Sequence, residues 1–99
     1  MDMNYIGGIA KILEMPKQSF LENNVIITKV RVQLPQLRTT QVVKLTFWGN
    51  LASDVNNFYK TNDYVIIEGY ISYKNELQFQ VPKKIEITVL KIYPFLLNS

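Results

Sequence analysis

The stretch QVVKLTFWGNLASDVNNFYK, residues 41–60, decides the fold and holds the first candidate for function. Its opening part alternates: Val43, Leu45 and Phe47 share the parity that a strand turns toward a core, and Lys44, Thr46 and Trp48 share the other. The one tryptophan of the chain is therefore expected to point outward, beside a lysine. A large apolar ring on a face that should be polar has two readings: a stacking platform for a planar partner, or packing under a loop or a subunit contact. After Gly49 the period changes. Leu51, Ala52, Val55, Phe58 and Tyr59 fall at helical spacing, with Asn50 as the expected N-cap, so a helix should cover one end of the core.

Residues 3–13 (MNYIGGIAKIL) read as a first strand whose interior pair Gly7-Gly8 marks a bulge, a sharp bend or a close backbone approach, and a strand bent by glycine is what a small barrel needs in order to close. Residues 14–24, with Pro16 and Asn23-Asn24, read as a loop. From Val25 to Leu34 the alternation is clean. Ile26, Thr28, Val30, Val32 and Leu34 lie on one side, and Lys29, Arg31 and Gln33 on the other, which makes the second side basic. Residues 35–40 read as a proline-bearing loop into the third strand. Beyond the helix, Thr61-Asn62-Asp63 turns the chain back into a strand from Tyr64 to Tyr73. Lys74-Asn75 is a tight-turn candidate, followed by alternating Leu77, Phe79 and Val81, and a closing strand runs from Ile85 to Tyr93, stopped by Pro94. Three strands, a helix, then a hairpin and a closing strand, five or six strands in all, is the plan of an OB fold: an all-β barrel, expected as a five-stranded Greek key, with one helix between strands three and four. Residues 1–94 are expected to form that domain and residues 95–99 a short tail.

Composition sets the limits. Ninety-nine residues, 47% of them hydrophobic, suit one globular domain. With no cysteine and no histidine, disulfides, Cys/His zinc sites and imidazole catalysis are excluded. No leader-like segment and no apolar run of membrane-spanning length is present, so a soluble, uncleaved chain without membrane partners is expected. The eight carboxylates show no metal-ligand or acid–base spacing, and no Gly-rich phosphate loop comes after a strand. A non-enzymatic protein without cofactor, metal or small-molecule substrate is the expectation. The net charge of +3 permits nucleic acid without demanding it. Nine lysines stand against two arginines, and isoleucine and asparagine are frequent, as an A+T-rich coding genome produces.

Phe47-Trp48-Gly49-Asn50-Leu51-Ala52 resembles the hydrophobic, aromatic, Gly, Lys, Leu, Ala segment of the bacterial and organellar single-stranded DNA-binding proteins, relatives of primosomal replication protein N. Tyr59-Lys60-Thr61-Asn62-Asp63 and Val65-Ile66-Ile67-Glu68-Gly69 match that family's next turn and strand at ungapped spacing, and the likeness runs from Asn4 to about Tyr93. It implies that Trp48 stacks on bases and that Lys44 is a cation of the same face. Three departures stand out. Val42 occupies a position where the family often has a second stacking tryptophan, and the loop after strand two is short. The acidic-tipped tail is missing, with Pro94-Phe95 only an echo of its end, so recruitment of replication and repair enzymes through a tail is not expected. Length, absent tail and composition look like the short plastid-encoded members, which points to the plastid stroma or nucleoid, with a bacterial cytoplasm as the alternative.

The expected function is non-catalytic, sequence-tolerant binding of single-stranded DNA in replication or repair. Bases would stack on Trp48, and phosphates would meet Lys29, Arg31, Lys44, Arg38 and Lys74. Tyr70, outward by alternation, reads either as a further stacking ring or as a subunit contact. Phe20, apolar in a polar loop, reads either as a clamp on DNA or as packing on the core. A homo-oligomer is expected, tetramer ahead of dimer. The main rival is an OB-fold protein-interaction module, a primosome-like adaptor using Trp48, the outward tyrosines and Phe95-Leu96-Leu97; RNA or oligosaccharide binding on the same barrel stays open.

Overall fold

The computed structural model describes residues 4–35, 42–74 and 84–95. In chain order the elements are β1 (Asn4–Ile12), β2 (Lys17–Phe20), a 3-10 turn (Glu22–Asn24), β3 (Ile26–Gln33), β4 (Val43–Trp48), α1 (Asn50–Phe58), β5 (Tyr64–Lys74) and β6 (Lys84–Pro94). The strands form one sheet in the order β1-β5-β6-β4-β3-β2, and a further β1–β3 pairing, Lys11 to Gln33 and Ile12 to Val32, closes it. All pairings are antiparallel except β4 with β6. This is the all-β OB barrel with a helix after its central strand, as the sequence leads one to expect, with six strands among the described residues rather than five.

Period-two alternation builds the core. Val30 and Val32 of β3, Val43, Leu45 and Phe47 of β4, Val65 and Ile67 of β5, and Ile87 and Val89 of β6 are all buried. Full burial of a ring such as Phe47 contributes about 1.5–3 kcal/mol. α1 closes one end with buried Ala52 and Val55. Thr28, polar but on the core parity, is fully buried, and its hydroxyl donates to the Ala52 carbonyl at 2.8 Å, tying the helix to β3. The turn after α1 carries Asn62 at φ 74°, a left-handed conformation that asparagine tolerates. The Asn62 amide donates to the Ile12 carbonyl at 2.7 Å and the Ile12 amide to the Asp63 carbonyl at 2.9 Å, which pins the end of β1 where the barrel closes.

Three details differ from the sequence reading. The extra strand is β2, inside the segment 14–24 that reads as a loop; it pairs along β3 from Lys17–Lys29 to Phe20–Ile26. Four residues without an apolar alternation carry almost no strand signal, and what makes them a strand is the available edge of β3. Second, Gly49 rather than Asn50 is the N-cap, and Asn50 is the first helical residue. Third, the bulge lies elsewhere: β1 and β5 run in unbroken register past Gly7-Gly8, while β5 and β6 shift register between Glu68 and Gly69. The expected turn and strand at residues 75–81 fall outside the described residues.

The shift brings two backbones together. A Cβ on Gly69 would overlap the Thr88 carbonyl and come within 2.9 Å of Val89 Cα, and neither backbone atom can yield. A Cβ on Gly7 would meet Glu68 Cγ and the Ile67 carbonyl at 3.6 Å, ordinary contact. Gly69→Ala is therefore expected to destabilise by roughly 1–3 kcal/mol. Gly7→Ala should stay within about 0.5 kcal/mol of wild type. Urea unfolding of the two variants tests the pair, and equal losses would contradict this assignment of the close approach.

Candidate nucleic-acid interface

The register across β2, β3 and β4 determines what stands on the outer face. On β3–β4 the outward pairs are Ile27–Trp48, Lys29–Thr46 and Arg31–Lys44; on β2–β3 they are Ser19–Ile27 and Lys17–Lys29. Residues directly opposite on one face hold their Cβ atoms about 5 Å apart, so the face reads as rows. One row is Ser19, Ile27 and Trp48. The next is Lys17, Lys29 and Thr46, continuing onto Thr88 of β6 and Tyr70 of β5. The third is Arg31, Lys44 and Glu86. Trp48 is 46% exposed, whereas Ile27 beside it is 4% exposed. The indole thus has an anchored flank and an open one, the geometry of a platform.

The next residue fixes the indole in place. Gly49 sits at φ 64°, ψ −134°, backbone that only glycine adopts readily, and its amide donates to the Ile26 carbonyl at 2.9 Å. That bond stitches the β4–α1 junction to β3 immediately beside Trp48.

The cations are not equivalent. Lys29 and Lys44 are exposed. Arg31 is exposed but engaged: its Nη2 and Nε donate to Glu14 Oε1 at 2.9 and 3.1 Å, and its backbone amide donates to Glu14 Oε2 at 3.0 Å. Glu86 accepts the Thr46 hydroxyl at 2.9 Å and stands in register with Lys44. Two carboxylates therefore temper a face that β3 and β4 alone make look purely basic. Thr46, outward by parity, is buried in this cluster.

Tyr70 is half-buried and packs edge-on against Tyr5 of β1, ring centroids 5.4 Å apart and planes at 73°. The Tyr5 hydroxyl donates to Glu68 Oε1 at 2.8 Å; that hydrogen bond, foremost, raises the pKa of the phenol above its usual value. Phe20 is 66% exposed but opposes Ile26, which packs against the core, so it lies on the other parity from Trp48. Val42 is exposed at the entry to β4. Arg38 and the side chain of Lys74 lie outside the described residues. The structure thus brings Trp48, Lys29, Lys44 and Arg31 onto one surface, places Tyr70 farther along the same row as Lys29, and sets Phe20 apart.

Three residues of this surface escape the sequence reading. Glu14 and Lys17 are hidden by the loop assignment of the segment that contains them. Tyr5 has a signal: alternation along β1 puts it outward with Gly7 and Lys11. Elsewhere, Phe58, Tyr59, Asp63, Tyr64, Pro94 and Phe95 line a shallow cleft of about 170 Å³ at the end of α1. Among the described residues no cluster of acidic side chains is placed to hold a metal ion, and no helix is long and apolar enough to cross a membrane.

The Arg31 hydrogen bonds, foremost, lower the Glu14 pKa below its ordinary 4.5. A carboxylate depressed in the folded state stabilises fully above its unfolded pKa, and that stabilisation is lost as pH falls through the folded value. The gap in urea midpoint between wild type and Glu14→Gln should therefore be widest at neutral pH and narrow as pH falls below the ordinary carboxylate range through the lowered Glu14 value. A gap that does not change with pH would contradict the ion pair.

No family model matches the chain. It is 44% identical over 105 residues to a protein of Trieres chinensis named as a candidate single-stranded DNA-binding protein, Ycf41, with 98% of this chain and 93% of the relative covered. Among solved structures, the barrel superposes on the single-stranded DNA-binding protein domain of a Synechococcus sp. protein with a TM-score of 0.76, at 24% identity over 94% of this chain and 97% of the other. A small single-stranded DNA-binding protein of Streptomyces coelicolor gives a TM-score of 0.75 at 15% identity, covering 97% of both chains. At such identities the structural likeness establishes the shared fold.

Proposed function

Because the chain belongs to the family of single-stranded DNA-binding proteins that includes Ycf41, we propose that it binds single-stranded DNA without catalysis and with little regard to sequence, in replication or repair. The observation that carries this is Trp48, half-exposed on the barrel's outer face with Lys29 and Lys44 on the same surface. A base stacked on the indole contributes about 1–3 kcal/mol whatever its identity. Lys29 and Lys44 meet the phosphates. Arg31 meets them only in competition with Glu14, and Arg38 and Lys74 are further candidate phosphate contacts on the strength of the sequence alone. Tyr70, with Tyr5 against it, offers a second aromatic edge. Phe20 contributes only where the strand wraps past the β2 edge.

Assembly as a homo-oligomer, tetramer or dimer, is part of this reading. Its support is that residues 4–8 of β1 have β5 on one side and, among the described residues, no strand on the other, an edge that pairing with a second copy would satisfy. The relative's name and the A+T-like residue usage support a plastid location. The adaptor reading is favoured by one feature: Glu14, Glu68 and Glu86 all stand on or beside this surface and reduce its charge.

Titration of Trp48 fluorescence with oligo(dT) decides between them. Salt-sensitive quenching that prefers single strand over duplex is expected, with Trp48→Ala lowering affinity roughly 5- to 150-fold by anisotropy. Absence of both quenching and binding at low salt would overturn the DNA reading in favour of a protein partner.

A further inference from the structure

Two like-charged pairs stand directly opposite each other on the outer face: Lys17 with Lys29, and Arg31 with Lys44. Such placement destabilises a sheet unless something negative lies between. For the Arg31–Lys44 row the protein supplies that charge itself. Glu14 holds Arg31 through three hydrogen bonds, and Glu86 stands in register with Lys44. The Lys17–Lys29 row continues into Thr46, Thr88 and Tyr70; among the described residues no carboxylate stands in register with either lysine, and Glu14, which lies near enough to attract Lys17, gives its hydrogen bonds to Arg31. Both lysines are exposed. The row lies two residues along the strand from the row of Trp48, a step of about 6.8 Å.

Taking single-stranded DNA binding as given, we infer that the Lys17–Lys29 pair is a phosphate site, and that its ligand is the phosphodiester adjoining the base stacked on Trp48. Lys17 thereby becomes a binding residue contributed by the edge strand β2. The unfavourable pairing in the free protein is relieved when the anion arrives, so the site trades some stability of the empty protein for affinity. The Arg31–Lys44 row, already carrying its carboxylates, gains less from the same anion.

The test uses the full chain and oligo(dT), measuring affinity across a salt series together with thermal unfolding of the DNA-free protein. Lys17→Gln and Lys29→Gln are each expected to reduce the slope of log affinity against log salt by about 0.7. Both should leave Trp48 quenching at saturation unchanged, and Lys29→Gln should raise the unfolding midpoint of the free protein. Lys17→Arg should keep the wild-type slope, as should Lys60→Gln, a change in the exposed turn after α1. A wild-type slope in Lys17→Gln with quenching intact would overturn the phosphate site and leave the DNA-binding reading standing. An equal drop with Lys60→Gln would also overturn it, as an effect of overall charge. Failure of the wild-type protein to bind oligo(dT) would remove the underlying reading along with it.

Discussion

The antiparallel register of β3 on β4 is the constraint on which the rest of the molecule depends. Val30 stands opposite Leu45 and Val32 opposite Val43, all buried. Because side chains alternate with a period of two, that choice forces Lys29, Arg31, Lys44 and Trp48 to the outside together. A slip of one residue would drive cations into the core and expose the aliphatic side chains, so selection for a dry core fixes the outer face at the same time. The Gly49 amide bond to Ile26 and the Thr28 bond to Ala52 lock the same two strands to the helix after them. These two bonds come from the residues of β3 that flank Ile27, the partner of Trp48, and hold the chain that follows the tryptophan.

The central strands are legible in the sequence because each alternates over at least six residues and buries a full row of apolar side chains. The helix is legible for the same reason at a different period. The N-cap falls one residue earlier than the sequence suggests because glycine with positive φ competes with asparagine for the entry to a helix, and backbone conformation leaves no mark on composition. β2 is not legible: KQSF gains its strand character only from pairing with β3, and nothing in its own four residues announces that partner. Gly69 cannot be singled out from Gly7, since a close approach of β5 to β6 is a property of the closed barrel.

Of the candidate site, parity alone identifies Trp48, Lys29, Lys44 and Arg31 as co-facial. It does not reveal how their charges are balanced. Glu14 reaches Arg31 from a segment 17 residues earlier, and Glu86 approaches Thr46 from a strand 40 residues later. Partners so distant in sequence are set by topology. Phe20 fails as a companion to Trp48 for a related reason: once β2 is a strand, alternation gives it the opposite side from Lys17 and Ser19. The surface that results is an aromatic platform beside one row of cations hydrogen-bonded to or in register with carboxylates and one row with no carboxylate in register, a more specific arrangement than a basic face.

The most direct test of the account is photo-cross-linking of an iodouracil-substituted oligo(dT) with mapping of the adduct. A principal cross-link at Trp48 is expected, with neighbouring outward residues of β3 and β4 as minor sites. A principal adduct in the cleft formed by Phe58, Tyr64 and Phe95 would contradict it, because that would place the bases at the end of α1 rather than across the sheet.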